Sequence, residues 1–193
     1  KNYLNEPSLD GLFHSILLQT VFYKGDLYFL DTYGLFKMDI KTAKITPLFA
    51  LDLYSKYGGV SFIVDSKGYL WISTFMNYIA RLNLNDPSEG IKEYYFEDKF
   101  TTARSLNLFE SKKGDIYVTT LGLGLLKLDK QTGIFASYTA ENGQLLSNYC
   151  YNVAESKLGH LIVIGDKGIS ILDPDKGLLK SISISRLLPI SSF

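Results

Sequence analysis

Apolar and polar residues alternate along this chain in short runs that are bounded by turn-forming residues. The stretch GDIYVTTLGLGLLKLDKQTG, residues 114–133, shows the pattern, with two apolar-rich segments of strand length and turn residues before, between and after them. Such segments predict β-strands joined by tight turns, and no stretch shows sustained helical periodicity with capping residues. Within Ile116–Thr119 neighbouring side chains point to opposite faces, yet most are apolar or aromatic, which predicts a sheet covered on both faces.

The same pattern occurs four times. A glycine that opens an alternating strand recurs at intervals of 43, 46 and 45 residues: Gly25, Gly68, Gly114 and Gly159. The following strand ends on Asp or Asn in each copy, at intervals of 44, 46 and 44 residues: Asp39, Asn83, Asp129 and Asp173. Because two independent landmarks keep nearly the same period, we interpret the chain as four copies of one unit.

Each copy reads as four short strands, which in the third copy are expected at residues 105–110, 115–120, 125–129 and 134–139. A period of about 40 to 50 residues with four strands per unit is typical of a β-propeller, in which each blade packs against its neighbours. We therefore predict an all-β fold, a β-propeller of four-stranded antiparallel blades. The whole chain, 1–193, is predicted as one propeller segment, with residues 185–193 starting the link to a next blade and blades at 16–50, 59–97, 104–140 and 149–184.

Four blades could close as a small ring or form an arc of a larger propeller. Propellers have about 4 to 8 blades, so a ring of four stands at the lower limit, and we favour the arc. An arc exposes two apolar blade faces, and large exposed apolar patches tend to bind partners. We therefore expect the chain to self-associate, with two arcs completing one ring.

Composition narrows the classes of partner. Lys plus Arg and Asp plus Glu each number 20, so the net charge is zero, and the basic excess that is usual for nucleic-acid-binding proteins is missing. The longest stretch without these charged residues has 13 residues, whereas a membrane-spanning helix needs about 20, so we expect no membrane insertion by this segment. The one cysteine, Cys150, cannot form a disulfide within the chain and is expected to be a small buried apolar residue.

Candidate catalytic and metal-binding patterns are weak. Asp173–Gly177 superficially resembles the start of a calcium loop, but such a site needs further oxygen ligands and a distal Glu. The repeat instead places this segment at the same inter-strand turn as Asp129–Gly133, where turn chemistry accounts for it. The two histidines, His14 and His160, stand in no ligand spacing. We therefore predict no catalytic residue, no metal site and no cofactor.

Three stretches resemble two-component regulator propeller repeats: GYLWIST at residues 68–74, LGLGLLKLDKQTGIFASYTAENGQLLSN at 121–148 and GHLIVIGDKGISILDP at 159–174. That repeat typically has a Gly-x-Leu-Trp-Ile-Gly-Thr strand, a glycine-rich turn, Leu-x-x-x-Asp-x-x-Thr-Gly, and a Thr-x-Glu-Asp-Gly-Leu-x-Ser-Asn connector. Such repeats form the periplasmic sensor regions of Bacteroidetes hybrid two-component system histidine kinases, whose ligands are often oligosaccharides. The resemblance extends over nearly the whole chain, from about Ile16 onward.

The resemblance implies that this segment is a periplasmic part of an inner-membrane-anchored receptor. It also implies partners within that receptor: further blades, a β-sandwich module, a membrane helix, and kinase and regulator domains that lie outside this segment. The segment itself is then not an enzyme, although the full-length protein would be a sensor histidine kinase. Three departures from the repeat are Met76-Asn77-Tyr78, where the family favours glycines, Thr42-Ala43, where a Gly is expected, and Ile162, where Trp is usual.

The loops between second and third strands are the candidate ligand-binding positions, because strands are committed to packing and loops are not. At residues 76–78 an amide and an aromatic ring could hydrogen-bond and stack on a sugar. The alternative is that Tyr78 packs against an adjacent blade, while Trp71, which lies within a strand, is expected to be core. The full candidate set is Tyr33, Met76, Asn77, Tyr78, Leu121, Asp166 and Lys167.

Three functions remain open at this point. The first is a non-catalytic sensor segment of a signal-transduction receptor, responding to oligosaccharides. The second is a propeller enzyme acting on glycosides or lactones, which would need acidic or His residues converging on the central channel. The third is a passive protein-interaction scaffold. A cleft lined by aromatic and amide groups would favour the first, convergent carboxylates the second, and flat loops the third.

Overall fold

The computed structural model describes residues 17–31, 35–48, 59–74, 77–96 and 104–184. They form four antiparallel sheets of four strands each, with the strands of every sheet in chain order. A short 3-10 helix, Pro87–Glu89, precedes the last strand of the second sheet. We number the sheets blades one to four, with these strands: β1 (Leu17–Tyr23), β2 (Asp26–Asp31), β3 (Leu35–Asp39) and β4 (Ile45–Pro47); β5 (Gly59–Val64), β6 (Tyr69–Thr74), β7 (Tyr78–Asn83) and β8 (Ile91–Tyr95); β9 (Arg104–Glu110), β10 (Ile116–Leu121), β11 (Leu125–Leu128) and β12 (Phe135–Tyr138); β13 (Cys150–Glu155), β14 (Leu161–Gly165), β15 (Gly168–Asp173) and β16 (Gly177–Ser183).

Both periodic landmarks of the sequence are turns. Gly114, with φ of 80°, closes the hairpin between β9 and β10, where its N–H donates to the carbonyl of Ser111 at 2.8 Å. Asp129 Oδ1 accepts from the backbone N–H of Gln131 at 2.8 Å and so caps the turn after β11. The equivalent residues of the other blades accept in the same way: Asp39, Asn83 and Asp173. The period therefore exists because each blade needs the same two tight turns.

Side chains on the middle strands point alternately to the two neighbouring blades. In β10, Ile116 and Val118 pack into the core shared with blade two, whereas Tyr117 packs into the core shared with blade four. A third core lies between blades one and two around Phe62 and Leu70. This alternation explains why the strands are apolar at nearly every position, and it confirms the predicted propeller architecture.

The blades form an open arc. Among the described residues, the extended buried cores join consecutive blades, and none joins blade one to blade four. We call the side of a blade that packs on the preceding blade its leading face, and the opposite side its trailing face. The leading face of blade one and the trailing face of blade four therefore have no blade packed on them within the described part of the chain. This partial propeller agrees with the expected arc.

The first strand of each blade carries a β-bulge at the same place. The irregular pairing falls at residues 18, 60, 106 and 151. The residue after each bulge is polar, and its side chain bonds to the equivalent residue of a neighbouring blade. Ser61 Oγ lies 2.9 Å from both Gln19 Oε1 and Asn107 Oδ1, and Asn107 Nδ2 donates to Asn152 Oδ1 at 2.8 Å. The four first strands are thus linked by a chain of side-chain hydrogen bonds.

Several individual residues lie as expected. Trp71 is fully buried, and its Nε1 donates to the Asp65 carboxylate at 2.9 Å. Cys150 is buried, and this burial raises the pKa of its thiol to about 12, as for a small core residue. Asp173 caps a turn through its side chain. His14 and the predicted link at 185–193 lie outside the described residues, and none of the described helices is long and apolar enough to cross a bilayer.

Candidate functional site

A cleft of about 490 Å³ opens between blades two and three. In the described residues, it lies where the loop between β10 and β11 meets the connector that leads to blade four. Its described lining comes from the end of blade two, from blade three and from the connector between blades three and four: Phe96, Gly122, Leu123, Leu126, Phe135, Ser137, Thr139, Glu141 and Asn148. We refer to it as the blade-two/three cleft.

The floor of the cleft is apolar. Phe96 and Leu126 are buried and belong to the core between blades two and three. Phe135, on β12, is half-buried and meets Phe96 edge-on, with ring centroids 5.1 Å apart and ring planes at 79°. Alternation along β12 places Ser137 on the same face as Phe135. The floor therefore presents the accessible part of the Phe135 ring, which rests on Phe96, with the Ser137 hydroxyl beside it.

One wall of the cleft is the loop between β10 and β11. Gly122 and Gly124 have φ values of 113° and 76°, and a Cβ added to Gly124 would lie 2.1 Å from the carbonyl oxygen of Tyr138. Only glycine fits there without displacing β12. The N–H groups of both glycines donate to the carbonyl of Asn148, each at 3.0 Å. The loop of blade three is thereby fixed to the connector that leads to blade four.

The polar rim is formed by Glu141 and Asn148 on that connector. Asn148 Nδ2 donates to Glu141 Oε1 at 3.0 Å and to Oε2 at 2.8 Å, while Asn148 Oδ1 accepts from the N–H of Ala140 at 2.8 Å. The hydrogen bond from Asn148 lowers the pKa of Glu141 below its usual value, because it stabilises the ionised carboxylate. At neutral pH the rim is negatively charged and retains lone pairs for further donors.

This arrangement suits a ligand with one apolar face and several hydroxyl groups. The aromatic floor can pack against carbon-bound hydrogens, while the carboxylate of Glu141 accepts from hydroxyls and the Ser137 and Thr139 hydroxyls donate or accept. Small-molecule sites typically have volumes of about 300 to 1,000 Å³ with an apolar lining and a few placed polar groups. The cleft meets both conditions.

The candidate residues predicted from sequence lie, where the structure describes them, on the loops of blades two, three and four. Leu121 directly precedes Gly122 of the cleft and is half-buried. Asp166 and Lys167 form the corresponding loop of blade four and are exposed. The N–H of Asp166 donates to the carbonyl of Tyr149 at 3.2 Å, so this loop is also fixed to a connector.

In blade two, the described candidates are Asn77 and Tyr78; Tyr78 packs in the core, and the backbone of Asn77 bonds to a residue of the cleft. Tyr78 is buried, with its ring centroid 5.0 Å from that of Tyr95 on the neighbouring strand of the same blade. Among the described residues, the ring therefore packs within blade two and not against an adjacent blade. The carbonyl of Asn77 accepts from the N–H of Phe96 at 2.7 Å, which fixes this loop beside the cleft floor. Two further predicted residues lie outside the described part of the chain: Tyr33 and Met76.

Reasoning from sequence did not select Phe96, Phe135, Glu141 or Asn148. For Glu141 and Asn148 a signal was present, because ENGQLLSN carries polar residues in a connector that has no strand pattern. For the two phenylalanines no local signal exists, since their contact depends on how blades two and three pack. Within the described residues no group of three or more His, Cys, Asp or Glu side chains is placed to hold a metal ion.

Comparison with known proteins gives matches only at the level of structure. No family model matches the chain, and no curated protein matches it. Solved structures that share its architecture include the extracellular domain of a protein named as the hybrid two-component system BT3049 from B. thetaiotaomicron, with a TM-score of 0.66 and 20% identity over 88% of this chain and 22% of that chain.

Two enzyme-named structures share the architecture as well. One is the catalytically inactive H270A virginiamycin B lyase from Staphylococcus aureus with quinupristin, with a TM-score of 0.72 and 16% identity over 92% of this chain and 57% of that chain. The other is named as a gluconolactonase, with a TM-score of 0.65 and 9% identity over 88% of this chain and 63% of that one. The chain thus spans 22% of the BT3049 domain and little more than half of these two chains. At such identities the likeness concerns the fold, and it shows that the chain is a segment of a β-propeller.

Proposed function

We propose that the chain is a non-catalytic, ligand-binding segment of a periplasmic sensor propeller in a hybrid two-component receptor, and that its ligand is an oligosaccharide. The observation that carries this proposal is the blade-two/three cleft, where an aromatic floor meets a carboxylate and amide rim. The fold likeness to an extracellular domain named as part of a hybrid two-component system supports the receptor context.

The geometry provides a route from binding to a change in blade packing. Asn148 holds the loop of blade three through its carbonyl and holds Glu141 through its amide. A sugar hydroxyl that donates to Glu141 competes with that amide and alters the connector to blade four. A signal requires that the ligand bind one arrangement of the blades more tightly than another. In this proposal the connector is the element whose position the ligand biases.

An enzyme acting on glycosides or lactones is the second candidate, and the lyase and gluconolactonase fold neighbours favour it. Glycoside hydrolysis usually needs two carboxyl groups flanking the scissile bond. Among the described residues that line the cleft, Glu141 is the single carboxylate, and Asn148 holds both of its oxygens. The polar side chains after the bulges are amides and a hydroxyl that bond to one another. These contacts support binding over catalysis.

The test is a thermal-shift and calorimetric screen of the 193-residue chain against a panel of oligosaccharides. A ligand that binds only the folded state raises its midpoint of unfolding. Chromatography of each incubated sugar and of a lactone panel then reports whether any substrate has been cleaved or opened. Binding without turnover supports the proposal, turnover supports the enzyme, and the absence of any thermal shift or heat contradicts both.

Two substitutions locate the site once a binding sugar is known. Phe135→Ala removes the half-buried ring of the floor, and Glu141→Gln removes the charge of the rim. Glu141→Gln is expected to weaken binding about tenfold or more, because a hydrogen bond to a charged group contributes about 1.5 to 3 kcal/mol and tenfold equals about 1.4 kcal/mol. Phe135→Ala is expected to weaken binding about tenfold, because the contact area of a large apolar side chain contributes about 1.5 kcal/mol or more. The matched controls are Ile134→Ala, next in sequence but outside the cleft lining, and Asp175→Asn, an exposed acid in a turn of blade four. Equal loss in the controls would place the ligand elsewhere.

A further inference from the structure

Two cations lie directly opposite each other on the outer strands of blade two. Arg81 on β7 pairs in register with Lys92 on β8, and like charges at directly opposed positions destabilise a sheet. The equivalent pairs of the other blades hold one cation each: Lys37 with Thr46, Lys127 with Ala136 and Ile171 with Lys180. Blade two therefore concentrates positive charge at a position where the other three blades do not.

The acid that balances this cation elsewhere in the repeat is replaced in blade two. In blades one and three the lysine at the position of Arg81 pairs with an aspartate on the second strand, at 2.7 and 2.9 Å: Lys37 with Asp26 and Lys127 with Asp115. Tyr69 occupies the aspartate position in blade two. Within the described part of the chain, no carboxylate forms an ion pair with Arg81 or Lys92.

Aromatic rings hold the Arg81 guanidinium without satisfying its N–H groups. Its Cζ lies 4.2 Å from the ring centroid of Tyr69 and 5.7 Å from that of Trp71. A ring face attracts the positive charge, but it supplies no oxygen lone pair to the five N–H donors. Arg81 donates no hydrogen bond to any other described residue. The side chain is thus positioned by the rings and keeps its donors available.

The buried hydroxyl of Tyr94 is a second donor without an acceptor at the same joint. Arg81 Cζ and Lys92 Nζ lie 5.9 and 5.0 Å from the Tyr94 ring centroid, and the hydroxyl has no hydrogen-bond partner among the described residues. In blade three the equivalent Tyr138 donates to the carbonyl of Pro174 at 3.2 Å. The joint between blades two and three therefore lacks both acceptors that the joint between blades three and four supplies.

The acids bonded to neighbouring residues have partners of their own. Asp65 is fully buried and is approached by Lys130 of blade three at 3.5 Å, so it balances that lysine. Glu89 Oε1 accepts from Asn83 Nδ2 at 2.6 Å, two residues along β7 from Arg81. The charges of Arg81 and Lys92 therefore stay in excess at this joint.

We infer that Arg81 and Lys92 form a binding site for an oxyanion group of a ligand, a carboxylate, sulfate or phosphate. The guanidinium fork matches two oxygens of such a group, and Lys92 adds a second charge. The site takes the place of the aspartate that the other blades carry. Lys92 lies four residues, about 13 Å along an extended strand, before Phe96 of the blade-two/three cleft, and neither cation lines that cleft. The inference is independent of the ligand proposed above.

Titration calorimetry of the 193-residue chain with sodium sulfate, sodium phosphate and sodium acetate, at constant ionic strength, tests the inference. At least one of these anions is expected to bind. Arg81→Met keeps an apolar stem against the rings and is expected to weaken binding about tenfold. Lys92→Met is expected to weaken it about threefold. The matched control is Lys127→Met, at the equivalent position of blade three, where the cation already has its acid; its anion binding is expected to be unchanged.

Tyr69→Asp tests the same site while both cations remain. It restores the acid of blades one and three, so it is expected to pair with Arg81 and to weaken anion binding about tenfold. Circular dichroism and cooperative unfolding confirm that each variant is folded, and the anion that binds most tightly identifies the ligand group as a carboxylate or a tetrahedral ester. A wild-type chain that binds none of the three anions, unchanged binding in Arg81→Met or Tyr69→Asp, or an equal loss in Lys127→Met would each overturn the inference.

Discussion

Blade two and blade four have the same strand order and the same turns, but they differ at the positions that face the next blade. Blade two carries Trp71 where blade four carries Ile162, and Asp65 where blade four carries Ser156. Within the described residues, blade two packs on blades one and three, whereas blade four packs on blade three. The difference shows that turns and alternation fix the shape of a blade, while its packing partners fix the identity of its large side chains.

Asp65 and Trp71 act as a pair. The Asp65 side chain is fully buried and accepts from Trp71 Nε1 and from the N–H of Tyr69, both at 2.9 Å. Lys130 of blade three approaches the same carboxylate at 3.5 Å. In blade four, Ser156 Oγ accepts from the backbone N–H groups of the turn alone. A tryptophan at this position therefore comes with a buried acid and a cation from the next blade, and an isoleucine needs neither.

The largest expected effect is that of Trp71→Ala. Because Trp71 is fully buried, its truncation is expected to lower the free energy of unfolding by about 3 to 5 kcal/mol. Ile162→Ala, at the equivalent half-buried position of blade four, is expected to cost about 1 kcal/mol. Urea unfolding of both variants in dilute solution measures the difference. Equal costs would mean that blade two is no better enclosed than blade four.

The second-largest expected effect compares the residues that cap the turn between first and second strands, Asp65 in blade two and Ser156 in blade four. Asp65→Ala leaves the Trp71 indole N–H and turn N–H groups without their acceptor, and is expected to cost about 2 to 3 kcal/mol. Ser156→Ala removes a half-buried hydroxyl that accepts two backbone N–H groups and is expected to cost about 1 kcal/mol. Denaturant unfolding midpoints of the two variants measure both costs. The emission maximum of Trp71 is expected to shift in Asp65→Ala and to stay unchanged in Ser156→Ala.

A third test concerns the outer strand of blade two. The Tyr94 hydroxyl is buried and has no hydrogen-bond partner among the described residues. Tyr94→Phe removes this polar group and is expected to raise the free energy of unfolding by about 1 kcal/mol. Tyr138→Phe in blade three is the control, since the Tyr138 hydroxyl donates to the Pro174 carbonyl at 3.2 Å and its loss is expected to destabilise. Destabilisation by Tyr94→Phe would show that its hydroxyl has a partner.

The smallest expected effect is a pH dependence of the turn that Asp173 caps in blade four, which the equivalent turn of blade two does not share. The backbone N–H of Asp175 lowers the pKa of Asp173 below its usual value of 3.8. Because the folded pKa is lowered, the cap contributes fully above 3.8 and is lost as the pH falls through the folded pKa. The equivalent cap of blade two is Asn83, which does not ionise in this range.

Amide exchange or amide chemical shifts of Asp175 and Lys176, followed from about pH 5 to about pH 2, measure this loss. The turn after Asn83 is expected to stay protected over the same range, and Asp173→Asn is expected to make the blade-four turn behave like it. An Asp173→Asn chain that still loses protection in acid would show that another group controls the turn.

The strands of each blade can be predicted from the sequence because they are bounded by turn residues that act within a single hairpin. In the third repeat the strands were expected at 105–110, 115–120, 125–129 and 134–139, and the observed strands agree to within one residue: 104–110, 116–121, 125–128 and 135–138. Each boundary is a turn residue whose effect acts within the hairpin, such as the side-chain cap of Asp129. Packing between blades does not alter these boundaries.

The site was less predictable because it depends on contacts between blades. The sequence predicts Leu121, which lies next to the cleft, as a candidate residue. It does not predict the contact of Phe96 with Phe135, because the two rings come from different blades and neither local sequence indicates the other. The chain of hydrogen bonds after the bulges recurs at intervals of 42, 46 and 45 residues. Its members are Gln19, Ser61, Asn107 and Asn152. Because they share a polar side chain but not a residue type, a search for repeated residues does not find them.

The bulge in the first strand has a consequence for how the repeat can be altered. It stands at the equivalent position in all four units, and a bulge bends its strand and redirects the side chain that follows it. Deleting the extra residue from one unit would turn the following polar side chain to the other face of its sheet and so interrupt the row of contacts from Gln19 to Asn152.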